Sequence, residues 1–473
     1  MVEIKKVSEN IYEIAREGKM NVPVRIYASE KIIENIKKDK TLEQAKNMAM
    51  MPGVVDKVVV LPDAHQGYGA CIGGVSAYDL EKGVVSPGQN GYDINCGVRL
   101  LVSNIKNSEF IKKRKDVMKN LGKDIPSGVG VKSKFSLNNK EIDNVLNKGV
   151  NWAVEKGLAS KEDIINIEDE GCMVDADSSK ISMKAKGRGM NQLGSLGAGN
   201  HFLEVQYVDE IYDKKIAEKL GINEVGQVTF LIHSGSRGLG HQVASDYIKK
   251  MEEKYGFEDL PDRELVCAPI KSELGQDYLK AMRAAANFGF VNRQLLTYSL
   301  IESVRKSFPK SKIDLVYDIA HNIIKMEKHI INGKEKTVCV HRKGATRSFG
   351  PGRPELNSKY KKIGCPIFIP GSMGTYSYVL IGDEKAEELT FGSTAHGAGR
   401  LLSRSAASKQ ITPKALEKEL KEQDVVLESG SLKGAVDEAP KAYKDVNEVV
   451  RVSHELGIGK MVARLKPLGV VKG

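Results

Sequence analysis

No stretch of this 473-residue chain approaches the roughly 20 consecutive apolar residues of a membrane span, so no helical span is expected. Six cysteines are present (Cys71, Cys96, Cys172, Cys267, Cys339 and Cys365), and none sits in a CxxC pair. That argues against a disulfide framework and for a reducing compartment, with a cytoplasmic location expected and most of the thiols acting as small buried hydrophobes. The opening MVEIKKVSENIYEIAREG mixes charged and apolar residues, which predicts no signal peptide. No GxSxG elbow occurs, so Ser234, Ser236 and His241 do not read as a serine hydrolase. Low-complexity linkers and repeats with a period of 20–50 residues are absent too, which excludes solenoids and propellers.

What is there is an ordinary globular composition, 41% hydrophobic and 28% charged, with 72 basic against 61 acidic residues. The net charge of +11 suits a polyanionic partner or simply a solvated surface. The first fifty residues read as an amphipathic lead-in with a helical pattern in SEKIIENIKKDKTLEQAKNMAMM. KVVVLPDAHQG reads as a buried strand ending in a polar loop, and Gly67 to Arg99 as glycine-rich with short strands. Residues 107–190 and 242–306 read as mostly helical. NHFLEVQYV, QVTFLIHSGS and KIDLVYDIAHN read as strands, and CPIFIPGSMGTYSYVLIG as strand-like at both ends. CVHRKGATRSFGPGRP reads as a basic loop. The tail carries helical patterns around PKALEKELKEQ and DVNEVVRVSHELG and ends KPLGVVKG, where fraying is the default.

The polar segments that look chemical are scattered from residue 63 to 473. The fold expected is therefore a single large mixed α/β (α+β) domain over 1–473, with central mixed sheets flanked by helices around a deep metal and nucleotide site. Several strand ends carry metal-capable side chains. Asp93 and Cys96 precede a strand, His201 opens one, and His233 and His321 each close one. A thiolate, imidazoles and a carboxylate would suit Mn, Fe, Co or Zn, although each residue alone reads equally well as a buried core group.

LPDAHQGYGACIGGV, GYDINCGVR, LGAGNHFLEV, HSGSRGLG, HRKGATR, IPGSMGTYSYV and STAHGAGR occur in this order. Together they resemble the RtcB family of RNA ligases, which join a 3′-phosphate or 2′,3′-cyclic phosphate to a 5′-hydroxyl; the likeness runs from about residue 20 to Gly473. The resemblance implies two Mn(II) ions bridged by Cys96, with Asp93, His201, His233 and His321 completing the ligands. It implies GTP as co-substrate and His396 as the nucleophile that accepts GMP. It implies guanylate contacts from Asn200, Phe202, Glu204, Ser372, Ser377, Ala398, Gly399, Tyr443 and Lys472. His65, Arg237, Lys343, Arg400 and Arg404 would support RNA phosphate or the site. The implied partners are RNA (tRNA halves and broken ends) and archease, with no membrane. Family members usually read PGGVG or PGGIG before YDINCGVR, whereas this chain reads PGQNG, which puts the local backbone around Asp93 in question.

The residues suit such chemistry. A terminal 3′-phosphate has a poor leaving group until GMP caps it, and neutral imidazole is a nucleophile at pH 7. Glycines 392, 397 and 399 would let amides approach phosphate, and the following helix would offer its N-terminus. Beside such a centre, the basic loop 341–353 would track an RNA backbone. A metal-dependent phosphoesterase acting on RNA ends without nucleotide transfer is the alternative, and a non-catalytic RNA-binding protein the third reading.

Overall fold

Valine-rich runs become the centres of two large sheets, because β-branched side chains pack well on a pleated, buried surface. In the computed structural model, which describes residues 2–430 and 432–473, VVDKVVVLPDAH forms the strand Val54–His65, buried from Val58 onward. It lies inside a seven-stranded sheet ordered Lys5–Ser8, Ile11–Ile14, Val24–Tyr27, Val54–His65, Ile72–Asp79, Lys334–Lys343 and Asn322–Ile331. A second, eight-stranded sheet runs Ile313–Ala320, Gly97–Lys106, Gln227–Ser234, Phe202–Ile211, Lys460–Lys472, Ser377–Ile381 and Pro366–Ile369. Val426–Ser429 joins it in parallel beside the last residues of Lys460–Lys472. Each sheet holds one parallel pair among antiparallel ones, so the expected mixed architecture is observed.

Helices cover the sheets. The longest, Glu273–Arg305, is capped by Ser272, whose side chain accepts from Gly275 N. Its middle is buried on nearly every side, including Asn287, Asn292 and Arg293. No helix among the described residues is long and apolar enough to cross a membrane.

Two sequence expectations need correction. The lead-in is not only helical: three short strands precede the helices Glu30–Ile36 and Thr41–Ala49. Four-residue strands such as Ile11–Ile14 are too brief to show a period. The segment 341–353 is not a solvated basic loop, because it contributes to the strands Lys334–Lys343 and Ala345–Arg347, and Arg342, Lys343 and Arg347 are buried. The partners come from distant segments: Arg342 donates to both Glu327 oxygens at 2.9 and 2.8 Å, and Arg347 pairs with Glu168 at 3.1 Å. KPLGVVKG, for which fraying is the default, is folded back into a sheet, as a guanylate contact from Lys472 requires. It ends a thirteen-residue strand that pairs with Phe202–Ile211 along its length.

Candidate active site and metal centre

Four neighbouring strands of the eight-stranded sheet end at the same edge, and that register assembles the metal-capable side chains. Gly97 pairs with both Ala320 and Ser234, and His233 pairs with Val98 and Phe202. Cys96, His201 and His321 lie one residue beyond these ends, so they converge on His233. Cys96 Sγ is 3.4 Å from His201 Nε2 and 3.3 Å from His233 Nε2, and His233 Nε2 is 3.3 Å from His321 Nε2. Two trios result, Cys96–His233–His321 and Asp93–Cys96–His201, each with its ligand atoms within 4.8 Å of one another, and Cys96 belongs to both.

The chemistry of this set fits a cation. His201 Nδ1 is 3.1 Å from the Leu196 carbonyl and 3.2 Å from the Arg237 guanidinium. Its Nε2 faces Asp93 Oδ2 at 2.8 Å and Cys96 Sγ at 3.4 Å, so an imidazole, a carboxylate and a thiol point into one space. Burial, reinforced by the neighbouring histidines, holds His233 and His321 well below the usual imidazole range, so both keep a free lone pair at neutral pH. Burial and then Asp93 push the Cys96 thiol up, the condition that a bound divalent ion reverses. Burial alone would raise Asp93, but His201 and Arg237 outweigh it and hold the carboxylate below its usual range. Gly235 leaves room for this: a Cβ there would stand 2.5 Å from the Asp93 carboxylate oxygens.

Arg293, which the sequence reading missed, ties the donor-bearing ends together from the long helix. It donates to Asn95 O and Ser234 O at 2.8 Å each, the neighbours of Cys96 and His233, and pairs with Asp318 at 2.7 Å on the strand leading to His321. Arg99 binds the same Asp318 at 2.7 Å, and all three side chains are fully buried. The signal in sequence is weak, one of three arginines in a long helix.

His396 follows the short strand Ser393–Ala395 and faces the donors, its ring centroid 4.9 Å from that of His321. Asp63, at the end of the strand Val54–His65, holds it. Its Oδ2 accepts from His396 Nδ1 at 2.5 Å and from His396 N at 2.9 Å. The Nδ1 proton is thereby fixed and Nε2 left as the lone-pair nitrogen. Asp63 stays below the usual carboxylate range because the contacts from His396 and the nearby Lys444 overcome its burial. The sequence reading passed over Asp63. Gly399 completes the cradle: its φ is +75°, and a Cβ there would stand 2.0 Å from Asp63 O. The helix expected to follow His396 directly begins only at Arg404, so its N-terminus does not serve this loop.

A cavity of about 350 Å³ opens onto these groups, lined among others by Asp93, Cys96, His233, His321 and His396. Of the expected guanylate contacts, Asn200, Phe202, Ala398, Gly399 and Tyr443 line it. Glu204, Ser372, Ser377 and Lys472 lie outside that lining. Gln206 Nε2 links Glu204 Oε2 at 2.5 Å to Ser377 Oγ at 2.8 Å. Ser372 is buried, its amide donating to Thr375 Oγ1 at 2.8 Å. Lys472 Nζ donates to Gly199 O at 2.7 Å and sits 5.7 Å from the Phe202 ring centre. Burial pushes Glu204 up to about 8, with Gln206 and Lys472 pulling the other way.

The supporting basic residues fall into distinct roles. His65 is lowered by burial to about 4 and is therefore neutral. Lys343 lines the cavity, yet its ammonium donates to Tyr68 O at 2.5 Å and Gly88 O at 2.8 Å. Arg347 lies away from this cavity, on another of about 600 Å³. Neither residue is part of a surface phosphate track. Arg400 and Arg404 both grip the buried Glu438, at 3.1 and 2.9 Å. Arg237 lies 3.2 Å from His201 Nδ1 and lines an adjoining groove with Arg188 and Arg404. The residues Gln89 and Asn90 turn inward. Gln89 Oε1 accepts from Ser76 Oγ and Tyr78 OH at 2.8 and 2.7 Å, Asn90 Nδ2 donates to Tyr278 OH at 3.3 Å, and Asn322 Nδ2 still holds Asp93 O at 3.0 Å.

Residues 44–473 match the family model described as tRNA-splicing ligase RtcB. The chain is 52% identical to the tRNA-splicing ligase RtcB of Nanoarchaeum equitans (strain Kin4-M), covering 100% of both chains. It is 50% identical to the protein of that name from Thermococcus kodakarensis, covering 100% of this chain and 99% of the other. An Entamoeba histolytica protein, RNA-splicing ligase RtcB homolog 1, is 46% identical over 91% of this chain and 83% of its own.

Proposed function

The chain belongs to the tRNA-splicing ligase RtcB family, and we propose that this RNA ligase uses GTP and Mn(II) to join RNA 3′-phosphate or 2′,3′-cyclic phosphate ends to 5′-hydroxyl ends in tRNA splicing and RNA repair. One observation carries the reading: a histidine with its Nδ1 proton fixed by a buried carboxylate stands beside two donor trios that share a cysteine.

His396 Nε2 attacks the α-phosphate of GTP, and pyrophosphate leaves. Asp63 keeps the imidazole in the reactive tautomer and offsets the positive charge that develops on the ring. The RNA 3′-phosphate then displaces His396 and takes GMP, and the RNA 5′-hydroxyl attacks the capped phosphate, forming the phosphodiester and releasing GMP. A cyclic phosphate is opened by water first. Asp93, Cys96, His201, His233 and His321 would hold two Mn(II) ions, which when bound neutralise phosphate charge and activate water or a hydroxyl. Glu204 would accept from the two Watson–Crick donors of guanine, with Lys472 on the carbonyl side once the base enters. The cytoplasm, where thiols stay reduced, suits the shared ligand Cys96. Archease belongs to the proposal as an activating partner, tested by whether it speeds multiple-turnover joining.

Incubation with GTP labelled on its α-phosphate tests the reading. The protein is expected to become labelled and to pass the label to RNA bearing a 3′-phosphate. Hydrolysis of RNA end phosphates without any labelled protein would replace the ligase with a phosphoesterase.

A further inference from the structure

The chain is poor in aromatic residues, 6% overall, yet three aromatic rings meet at the mouth of the catalytic cavity. Tyr68 is 73% exposed, more than any other tyrosine, phenylalanine or tryptophan among the described residues. Its exposure is not the exposure of a loose loop. Gln44 clamps the preceding Gly67 with two hydrogen bonds, to its carbonyl at 2.8 Å and from its amide at 2.9 Å. The Tyr68 carbonyl accepts from the buried Lys343 ammonium at 2.5 Å and from Ala70 N at 2.8 Å. A backbone held this firmly presents an apolar ring to water, which folding alone would not favour.

Tyr92 stands at right angles to Tyr68, with ring centres 6.5 Å apart and an interplanar angle of 88°. His241 stacks against Tyr92 at 4.9 Å and 30°, and the Tyr92 hydroxyl donates to Glu264 at 2.7 Å. The second ring is thus backed on one face and fixed at its tip. Two rings at a right angle form a corner in which a flat π-system can lie on one ring with its edge toward the other. The cavity they flank has His396 and the metal-capable side chains among its other linings.

We propose that Tyr68, Tyr92 and His241 form a nucleobase-stacking subsite that holds an unpaired base at the end of the RNA being joined. The inference rests on the ligase reading of the cavity and names how its RNA is held. Bases inside a duplex keep their faces covered, whereas the unstacked bases of single-stranded ends are free to lie on aromatic side chains. Every base has a π-face, so this subsite selects unpaired ends over paired ones without selecting sequence.

The test uses two RNAs with 2-aminopurine in the terminal nucleotide, one ending in a 3′-phosphate and one in a 5′-hydroxyl, mixed with the full-length protein. Stacking quenches the fluorescence of at least one of them. Tyr68→Ala removes that quench and Tyr68→Phe, which keeps the ring, retains it. In joining assays Tyr68→Ala raises the RNA KM about tenfold while kcat changes less than about twofold, the scale of one lost base–aromatic contact. Absence of quenching with both RNAs, or a Tyr68→Ala protein that quenches and binds RNA like the unaltered one, overturns the subsite. Failure of the ligase reading is separately visible, as a protein that neither takes GMP nor joins ends, and the fluorescence still decides the subsite.

Discussion

The two large sheets meet the cavity in different ways. The eight-stranded sheet brings Asp93, Cys96, His201, His233 and His321 to the ends of four adjacent strands, and Arg293 and Asp318 lock those ends from behind. The seven-stranded sheet touches the trios only through His321, the residue that links its strand Asn322–Ile331 to Ile313–Ala320. It supplies Asp63, which holds His396 through one carboxylate oxygen. One wall gathers the metal-capable donors and is fixed by buried ion pairs, and the other holds the proposed nucleophile through a single acceptor. A site divided this way can lose one half while keeping the other, so the halves are separable by mutation.

The largest effects break the division outright. Cys96→Ser replaces the atom common to both trios with a hydroxyl that stays protonated at neutral pH. Metal analysis of this variant is expected to show loss of one or both ions, and GMP transfer is expected to vanish with the fold retained by circular dichroism. Full GMP transfer in Mn(II) would remove Cys96 from its shared role. His396→Ala is expected to do the reverse: metal content stays, the adduct disappears, and RNA already carrying GMP on its 3′-phosphate is still joined.

Asp63→Asn sharpens the comparison at smaller magnitude. The amide no longer enforces the Nδ1-protonated tautomer, and the rate of labelling from GTP is expected to fall by roughly 100-fold or more, as when a carboxylate that orients a catalytic histidine is lost. Metal content should not move. If the variant labels at the normal rate, Asp63 is not what orients His396.

The smallest effects concern the base. Deleting Lys472 and Gly473 is expected to slow labelling about tenfold at limiting GTP, the scale of a lost charged hydrogen bond in a buried site, and to relax rejection of ATP. Glu204 is protonated below about 8 and ionised above it. In the proposed pocket its ionised form would accept both guanine donors, so GTP affinity is expected to rise as pH climbs from 7 to 9, and Glu204→Gln to flatten that rise. The linked stability runs the other way. An acid raised from 4.5 to about 8 by folding contributes fully below 4.5, and that contribution is lost as pH rises towards 8. Thermal melts of Glu204→Gln across this range should therefore lose part of their pH dependence.

How much of this is legible in the sequence follows from the reach of each signal. The five metal-capable residues can be read because each adjoins a strand-like run, and strand ends collect where a sheet ends. Asp63 cannot, since its partner lies 333 positions away and LPDAHQG carries no local sign of it. Arg293 is hidden in a helix with two other arginines, flanked by Asn292 and Gln294, and nothing local points to Asp318. The segment 341–353 misleads for the same reason: its charges are visible locally, while Glu327 and Glu168, which bury them, are not adjacent in sequence. Lys472 shows the opposite case. Composition alone leaves a penultimate lysine frayed, and only the family resemblance points to the fold-back that the pairing of Lys460–Lys472 with Phe202–Ile211 produces beside Gly199.

The central claim is that His396 carries the nucleotide, and the cavity offers a chemical rival. Lys343 lines the same space, and burial lowers it to about 8, within reach of a nucleophilic amine. Its ammonium is engaged by the carbonyls of Tyr68 and Gly88, whereas His396 Nε2 is left as the free lone pair. Mapping the peptide that bears GMP after reaction with GTP decides between them. The account predicts a phosphoramidate on His396, labile in acid and stable in base; GMP on Lys343 would contradict it.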